Sequence, residues 1–343
     1  MTKNQTCSYM HEQSPNYAIR LERDTMKQFV ETEFVVPLEL SGMRLDHVLC
    51  ELMPEYSRSR LQQWIKNEQV TINGAFLKSK EKVKIHDLIE VKVELESQGE
   101  WTAEDIPLDI IYEDDDIIIL NKPANMVVHP AVGNYTGTLV NALLNHYPEI
   151  ETVPRAGIVH RLDKDTTGLM VVAKNLSAHA HIVDQLQTRA MGREYEAIVS
   201  GVMTGGGTVN EPIARSPKNR KKMAVSPFGK HAVTHYRVIT RFNANSHIRV
   251  KLETGRTHQI RVHMAHIKYP LVGDTTYGGR FKMPAGASDF LKSSLRDFGR
   301  QALHAKKITL IHPRTSEEMS WESDLPEDML ALLEALNEPE QDV

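Results

Sequence analysis

The chain has 343 residues, of which 41% are hydrophobic and 25% are charged, the composition of an ordinary globular protein with room for more than one domain. No apolar run reaches the roughly 20 residues that span a bilayer, and the N-terminus has no basic segment followed by an apolar one. The two cysteines, Cys7 and Cys50, cannot build a disulfide framework or a four-cysteine zinc site. These features argue against a membrane or secreted protein, and we expect a cytoplasmic one.

The net charge of −4 conceals a strong asymmetry along the chain. Residues 1–150 carry 14 Lys and Arg against 24 Asp and Glu, residues 151–314 carry 27 against 11, and residues 315–343 carry 0 against 10. An excess of cations over the middle segment favours a polyanionic partner, because neutralising phosphates releases counterions. We therefore expect nucleic acid as the partner, the alternative being a highly charged but ordinary surface.

The N-terminal part of the chain is predicted to be a disordered extension followed by a small α+β domain. Residues 1–32 are polar and aperiodic, and Met26 within them is an alternative start. In residues 42–93, the spacing of Leu45, Val48, Leu49 and Leu52 predicts an amphipathic helix.

A second helix is predicted to begin after Ser57, with Arg58, Arg60 and Lys66 on its solvent face. The strand 70–72 and a turn at Asn73-Gly74 follow it. The segments 44–46, 57–59, 70–74 and 87–89 resemble the S4 type of RNA-binding domain. This resemblance implies that the three cations of the second helix bind RNA.

An acidic linker is predicted over residues 94–109, because the segment from Glu94 to Asp116 holds ten carboxylates and no Lys or Arg. A larger domain is predicted over residues 110–325. An acidic tail, residues 326–343, is predicted to contain a short helix that aligns Leu330, Leu333 and Leu336.

The larger domain is predicted to be α+β with a mixed, largely antiparallel central sheet, since strands and helices do not alternate regularly. The predicted strands are 117–122, 169–173, 195–200, 234–240, 247–253 and 307–311, and the predicted helices are 138–146, 178–189 and 257–266.

Several familiar chemistries are excluded by missing motifs. The chain has no dinucleotide-binding glycine fingerprint, no phosphate loop and no nucleophile elbow. His258, His263 and His266 lie on one predicted helix, but the first pair is poorly spaced for a shared face and no Glu accompanies them. We expect neither a metal nor a cofactor.

Three motifs remain, and they combine a carboxylate, an aromatic side chain and a basic helix. They are His160-Arg161-Leu162-Asp163 with Thr166-Thr167-Gly168, Arg193-Glu194-Tyr195-Glu196-Ala197, and the segment from Leu252 to Met264. In this order and separation they resemble the RluA-type pseudouridine synthases. The segments 121–123, 128–130 and 273–279 and the N-terminal module resemble one branch of that family, and the similarity extends over residues 38–335.

The resemblance implies a pseudouridine synthase fold and roles for matched residues. Asp163 corresponds to the catalytic aspartate, Tyr195 to the tyrosine that packs on the target base and helps remove its C5 proton, and Arg261 to the arginine that pairs with the aspartate. Arg161 corresponds to the side chain that enters the helix stack when the uridine turns out.

The chemistry agrees with these assignments. Breaking the glycosidic C–N bond and rejoining the uracil through carbon needs an ionised carboxylate, which a neighbouring guanidinium would favour and orient by bidentate hydrogen bonding. No group is oxidised or carried, so no cofactor is required. Asp165 is interpreted as scaffold, and Asp163 alone could instead be a carboxylate that caps Thr166 or Thr167.

Further RNA contacts are predicted from the basic residues around these motifs. They are His160, Arg256, His258, Lys218, Arg220, Lys221 and Lys222. The branch implies a hairpin of large-subunit (23S) ribosomal RNA, free or in a pre-ribosomal particle, as substrate, and a contribution to ribosome maturation. We expect the enzyme to be a monomer. Two alternatives stay open: a sister synthase for other rRNA or tRNA uridines, and a non-catalytic RNA-binding assembly factor.

Overall fold

The computed structural model describes residues 28–54, 56, 58–95, 101–130, 134–220, 222–279, 283–284 and 286–338. The chain divides into two compact units, residues 1–97 and residues 98–343. Within the described residues, no helix combines the length and the apolar character needed to cross a membrane.

The first unit is a three-stranded antiparallel sheet with two helices, as expected for an S4-type domain. Its elements are β1 (Gln28–Val35), a 3-10 turn (Leu38–Leu40), α1 (Leu45–Leu52), α2 (Arg58–Lys66), β2 (Val70–Ile72) and β3 (Leu88–Leu95). Strand β3 lies between β1 and β2. The two predicted helices and the strand at residues 70–72 are confirmed.

The predicted disordered extension, residues 1–32, is wrong for residues 28–32. These residues belong to β1, which pairs with β3 in continuous register from Gln28 opposite Leu95 to Val35 opposite Leu88. The partner strand supplies the hydrogen bonds that make this polar segment extended. Residues 1–27 of the prediction lie outside the described residues.

A buried carboxylate joins the two helices of this unit. Asp46 in α1 accepts hydrogen bonds from Arg58 (2.8 Å) and Gln62 (2.6 Å) of α2 and from Arg44 (3.0 Å). Burial alone would raise the pKa of Asp46, but the hydrogen bonds from Arg58, Arg44 and Gln62 outweigh it and hold the pKa well below its usual value.

The prediction that α2 leaves three cations free in solvent needs correction at two of them. Arg58 is held by Asp46, which needs a cationic partner in its buried position. Arg60 is half-buried and lies 5.7 Å from the ring centre of Trp64. Lys66 is exposed, as predicted.

The acidic linker predicted over residues 94–109 is wrong at both ends, where the residues belong to a strand or pack on a core. Residues 94 and 95 end β3, and residues 96–100 lie outside the described part. Trp101, Ile106 and Leu108 pack on the core of the second unit. The Glu104 carboxylate accepts the Gly137 N–H, so acidic residues here bind the fold instead of separating domains.

The second unit is built on one nine-stranded sheet. Its elements are β4 (Ile110–Glu113), β5 (Ile117–Lys122), α3 (Leu139–His146), a 3-10 helix (Pro148–Thr152), β6 (Thr167–Ala173), α4 (Leu176–Thr188), β7 (Gly192–Ser200), β8 (Gly207–Asn210), β9 (Ile213–Arg215), β10 (Met223–Val225), β11 (Val233–Arg241), β12 (Asn245–Leu252), α5 (Gln259–His266), α6 (Asp289–Asp297), β13 (Leu303–Ile311), β14 (Glu318–Glu322) and α7 (Glu327–Leu336).

The strand order is β4-β5-β6-β13-β7-β12-β11-β8, with β14 added to β13, and β9 and β10 form a separate hairpin. Strand β6 runs parallel to β13, whereas the other described pairs of this sheet are antiparallel. The predicted α+β class with a mixed, largely antiparallel sheet is confirmed.

Apolar side chains cover both faces of the central strands. In β5, Ile118 and Leu120 belong to the cluster that includes α3 and α5, whereas Ile117 and Ile119 belong to the cluster that includes α4. This alternation follows from the two-residue period of a strand. A strand buried on both faces is a rigid support for the polar turn at its edge.

The tail predicted over residues 326–343 is part of the second unit as far as residue 338. Helix α7 packs beside α6 and buries Met329, Leu332 and Leu336. The predicted face is wrong at Leu330, which is 50% exposed. The sequence of α7 has leucines on two adjacent stripes of the helix, and the stripe that faces α6 is the one that is buried.

We predict that Asp46→Asn destabilises the first unit by about 1–2 kcal/mol at pH 7, because Arg44 and Arg58 lose their anion but are half-exposed and can turn to water. Hydrogen exchange of the amides in α1 and α2 measures this loss. Glu51→Gln, which changes an exposed carboxylate of the same helix, is the control.

The effect depends on pH with a defined sign. The folded-state pKa of Asp46 lies below its unfolded value of about 4, so the carboxylate contributes fully above about pH 4 and its contribution falls as the pH drops toward the folded pKa. Equal exchange rates in wild type and Asp46→Asn at pH 7 would contradict this account.

Candidate active site

The turn that carries Asp163 is fixed to the end of β6 by a glycine. Gly157 has a φ of +72°, and a Cβ on it would lie 2.0 Å from the Ala173 carbonyl oxygen. The Ala173 N–H donates to the Gly157 carbonyl, and Ile158 bridges Val172. The chain therefore runs back along β6 and delivers Asp163 to the start of that strand.

Two buried basic side chains hold the same turn through its backbone. Lys122, fully buried at the end of β5, donates from Nζ to the carbonyl oxygens of Pro123, Met126 and Lys164 at 2.7, 3.0 and 2.9 Å. Burial lowers the pKa of Lys122 to about 7. Arg300 donates to the backbone carbonyl of Asp165, at 3.2 Å.

Sequence reasoning assigned no role to Lys122, although the motif Asn121-Lys122-Pro123 contributed to the family resemblance. A lysine in the same strand as four buried apolar residues, separated from them by Asn121, was the available signal, since such a lysine needs internal acceptors. The scaffold interpretation of Asp165 stays a prediction, supported by the Arg300 contact with its backbone.

Arg261 joins two carboxylates in the centre of the site. Its Nη1 donates to Asp163 at 2.8 Å, whereas Nε and Nη2 donate to the two oxygens of Asp274 at 2.7 and 2.9 Å. Burial would lower the pKa of Arg261, but Asp274 and Asp163 raise it above its already high value. The guanidinium therefore stays charged.

The expected bidentate pair between Arg261 and Asp163 is wrong in one respect. The bidentate partner is Asp274, and Asp163 receives a single hydrogen bond. Asp274 is buried and also accepts the N–H groups of Thr276 and Tyr277, so it is itself fixed. Burial would raise the pKa of Asp274, but Arg261 and these amides lower it.

Asp163 does not cap the threonines that follow it. Its backbone carbonyl accepts the Thr166 N–H at 3.0 Å, which closes the turn, while its carboxylate faces Arg261. The Thr167 hydroxyl instead contacts Nδ1 of His304 at 2.9 Å. The carboxylate is 15% exposed and so remains reachable from the cleft.

His258 lies on the other side of Asp163. Its Nε2 is 3.7 Å from a carboxylate oxygen, and its Nδ1 is 2.7 Å from the Tyr277 hydroxyl. The residue immediately precedes α5 and has a φ of +57°, an uncommon conformation for a residue with a Cβ. Burial lowers the pKa of His258, so the ring is neutral near pH 7.

Tyr195 and His160 complete the walls near the carboxylate. Tyr195 lies on β7 and is 6% exposed, and burial raises its pKa. His160 Nε2 accepts the Val171 N–H at 3.2 Å, and burial lowers the pKa of His160 to about 3. His160 is therefore a neutral ring bonded to β6, which limits its RNA contact to packing and hydrogen bonding.

One cleft of about 910 Å³ gathers most of the predicted site residues of this unit. Its lining includes the predicted residues Asp163, Tyr195, Arg261, His160, Arg161, Arg256 and His258. Six arginines line it, against the two carboxylates Asp163 and Glu253, so the cleft is suited to a polyanion.

The predicted basic loop does not line this cleft. Lys218 and Arg220 are exposed between β9 and β10, and Lys222 donates to the Thr276 carbonyl at 2.5 Å. Lys221 lies outside the described residues. Arg58, Arg60 and Lys66 belong to the first unit.

One cluster of metal-ligand type among the described residues, and the separate residue His263, are engaged in other contacts. Asp114, Asp116 and His312 place ligand atoms within 4.8 Å of one another, but His312 bonds Asp114 at 2.8 Å and Asp116 pairs with Arg314 at 2.6 Å. His263 uses both ring nitrogens, toward Thr234 and the Glu211 carbonyl. In the described part of the chain, these ligand atoms therefore take part in hydrogen bonds and ion pairs within the protein.

Comparison with known proteins agrees with this geometry. Residues 116–266 match the family described as RNA pseudouridylate synthase, and residues 43–89 match the S4 domain. A solved human protein, RNA pseudouridylate synthase domain containing 4, is 26% identical with a TM-score of 0.52, over 66% of this chain and 92% of its own.

Curated relatives match almost the whole chain. Ribosomal large subunit pseudouridine synthase D of Pseudomonas aeruginosa is 57% identical over 91% of this chain and 98% of its own length. The protein of that name from Escherichia coli K12 is 54% identical over 91% and 96%. The chain therefore belongs to the pseudouridine synthase family, in the branch whose curated members are named ribosomal large subunit pseudouridine synthase D.

Proposed function

We propose that the protein isomerises specific uridines of large-subunit ribosomal RNA to pseudouridine and that Asp163 is its essential carboxylate. The observation that carries the proposal is the placement of Asp163 in an arginine-lined cleft, where the fixed cation Arg261 holds it. The names of the curated relatives support the class of RNA.

The contacts of Asp163 suit the first step of the reaction. Cleavage of the glycosidic bond requires a carboxylate that either attacks the substrate or takes a ribose proton, and Arg261 keeps such a group oriented with one hydrogen bond. The second carboxylate oxygen faces His258 and the cleft, so it is the oxygen available to substrate.

Tyr195 covers the base in this proposal. Because burial raises its pKa, the side chain is a neutral phenol near pH 7, which supports packing on the uracil more directly than removal of its C5 proton. A detached uracil must stay in place while it rotates, and a covered cleft serves this need.

RNA binding in the proposal begins with Arg161, Arg256 and His258 of the cleft. Lys218, Arg220, Lys221 and Lys222, the loop residues, and Arg58, Arg60 and Lys66 of α2 add affinity. The target base must leave its stack, which favours a hairpin loop over a regular duplex. We further propose a cytoplasmic monomer that works without metal and contributes to ribosome maturation.

We predict that Asp163→Asn abolishes tritium release from large-subunit RNA labelled at C5 of uridine, a loss on the order of 10³-fold or more, because the amide cannot act as a carboxylate. Asp165→Asn, two residues along the same turn, is the matched control and retains activity within about tenfold. Persistent release by folded Asp163→Asn protein would refute the proposed role.

We predict that Asp274→Asn lowers kcat about 10- to 100-fold while the Kd for RNA changes little, because Arg261 loses its charged anchor and Asp163 loses its orientation. Single-turnover rates and filter binding separate the two quantities. Asp289→Asn, at an exposed carboxylate, is the control. An unchanged kcat would mean that Asp274 does not position the site.

Removal of residues 1–97 should weaken RNA binding and reduce its salt dependence, because the cations of α2 no longer contact phosphate. The rate at saturating RNA should stay within about tenfold of wild type, since Asp163 and its partners lie in the second unit. Titration of labelled RNA at several salt concentrations measures both effects. Unchanged affinity and salt slope would contradict the role of the first unit.

A further inference from the structure

Arg193 is a buried cation in the wall of the cleft. It lies on β7 two residues before Tyr195, and side chains two apart on a strand share one face. Both residues line the cleft, and Arg193 is only 6% exposed. Arg193 begins one of the three sequence motifs, but the proposed reaction gives it no role.

Within the part of the chain that the structure describes, the buried Nε of Arg193 has no hydrogen-bond partner, and no ion pair joins its guanidinium to a carboxylate. Two other arginines of the cleft are paired, Arg189 with Glu253 and Arg261 with two aspartates. A buried charge without a partner costs stability, so its retention indicates a partner from outside the chain.

The surroundings leave space for the guanidinium and add no counterion. A Cβ on Gly255 would lie 2.7 Å from Nη1 of Arg193, so the absence of a side chain there keeps the space open. His160 stays neutral, because burial and Arg193 lower its pKa to about 3.

We propose that Arg193 binds a backbone phosphate of the RNA beside the uridine that enters the cleft. A planar guanidinium with several donors matches phosphate oxygens. Arg193 and Tyr195 lie about 7 Å apart along one strand face, which is comparable with the reach from a base to a phosphate of the same nucleotide. The proposal rests on the proposed RNA substrate and names the contact that positions it.

The first test separates a binding role from a structural one. Arg193→Met should weaken RNA binding about 10- to 100-fold and leave the unfolding temperature of the RNA-free protein unchanged or higher, because an uncompensated charge is removed. Arg193→Lys keeps the positive charge but not the paired donors of the guanidinium, so it should lose less RNA affinity than Arg193→Met. Arg296→Met, an exposed arginine of α6, is the matched control for net charge. Unchanged binding by Arg193→Met, or a lowered unfolding temperature with binding loss equal to the control, overturns the proposal.

The second test identifies phosphate as the ligand. Methylphosphonate links, each with an adjacent 2′-deoxy sugar and a matched phosphodiester control, replace single phosphates around the target uridine. One of them should weaken binding about tenfold in wild type and less than about twofold in Arg193→Met. Equal losses in both proteins at every position overturn the proposal.

A third variant moves the guanidinium without removing it. Gly255→Ala should weaken RNA binding in wild type and have little further effect in Arg193→Met, since the added Cβ meets Nη1. Additive effects contradict the proposal. Tritium release by wild type on unmodified RNA is measured in parallel, so that failure of the isomerase function is distinguished from failure of the phosphate contact.

Discussion

The Arg261 guanidinium, placed between Asp163 and Asp274, is the contact on which the candidate active site depends. It donates two hydrogen bonds to Asp274 and one to Asp163. The buried Asp274 carboxylate therefore fixes the direction of the hydrogen bond to Asp163. The guanidinium compensates the charges of two carboxylates in a site with little water. Burying any of these charges there without a partner would destabilise the fold. One oxygen of Asp163 is thereby left toward the cleft.

The rest of the second unit serves to keep this arrangement rigid. Two strands buried on both faces carry the turn of Asp163, a glycine allows the chain to approach β6 closely, and Lys122 holds the turn by its carbonyls. The cations that have internal partners build the site, whereas Arg193, which forms no ion pair with any described residue, is available for the substrate. This division between paired and unpaired arginines connects the fold to RNA recognition.

Much of the fold and of the candidate site could be predicted from the sequence, wherever the residues that form a feature lie close together along the chain. The core strands, the helices at α3 to α5 and the residues Asp163, Tyr195 and Arg261 lie in continuous motifs. The bidentate role of Asp274 was missed. A sequence does not show which of two carboxylates distant along the chain forms the bidentate hydrogen bonds with Arg261. Strand β1 and the buried face of α7 depend on partners far along the chain, so local polarity and spacing were insufficient.

Chemical rescue tests most directly whether a charged group at position 261 orients Asp163 for the reaction. The single-turnover rate of Arg261→Ala is measured with and without millimolar guanidinium, with Asp163→Asn in parallel. We expect a slow Arg261→Ala enzyme whose rate guanidinium partly restores, and no restoration in Asp163→Asn. Isomerisation by Arg261→Ala at the wild-type rate would contradict it.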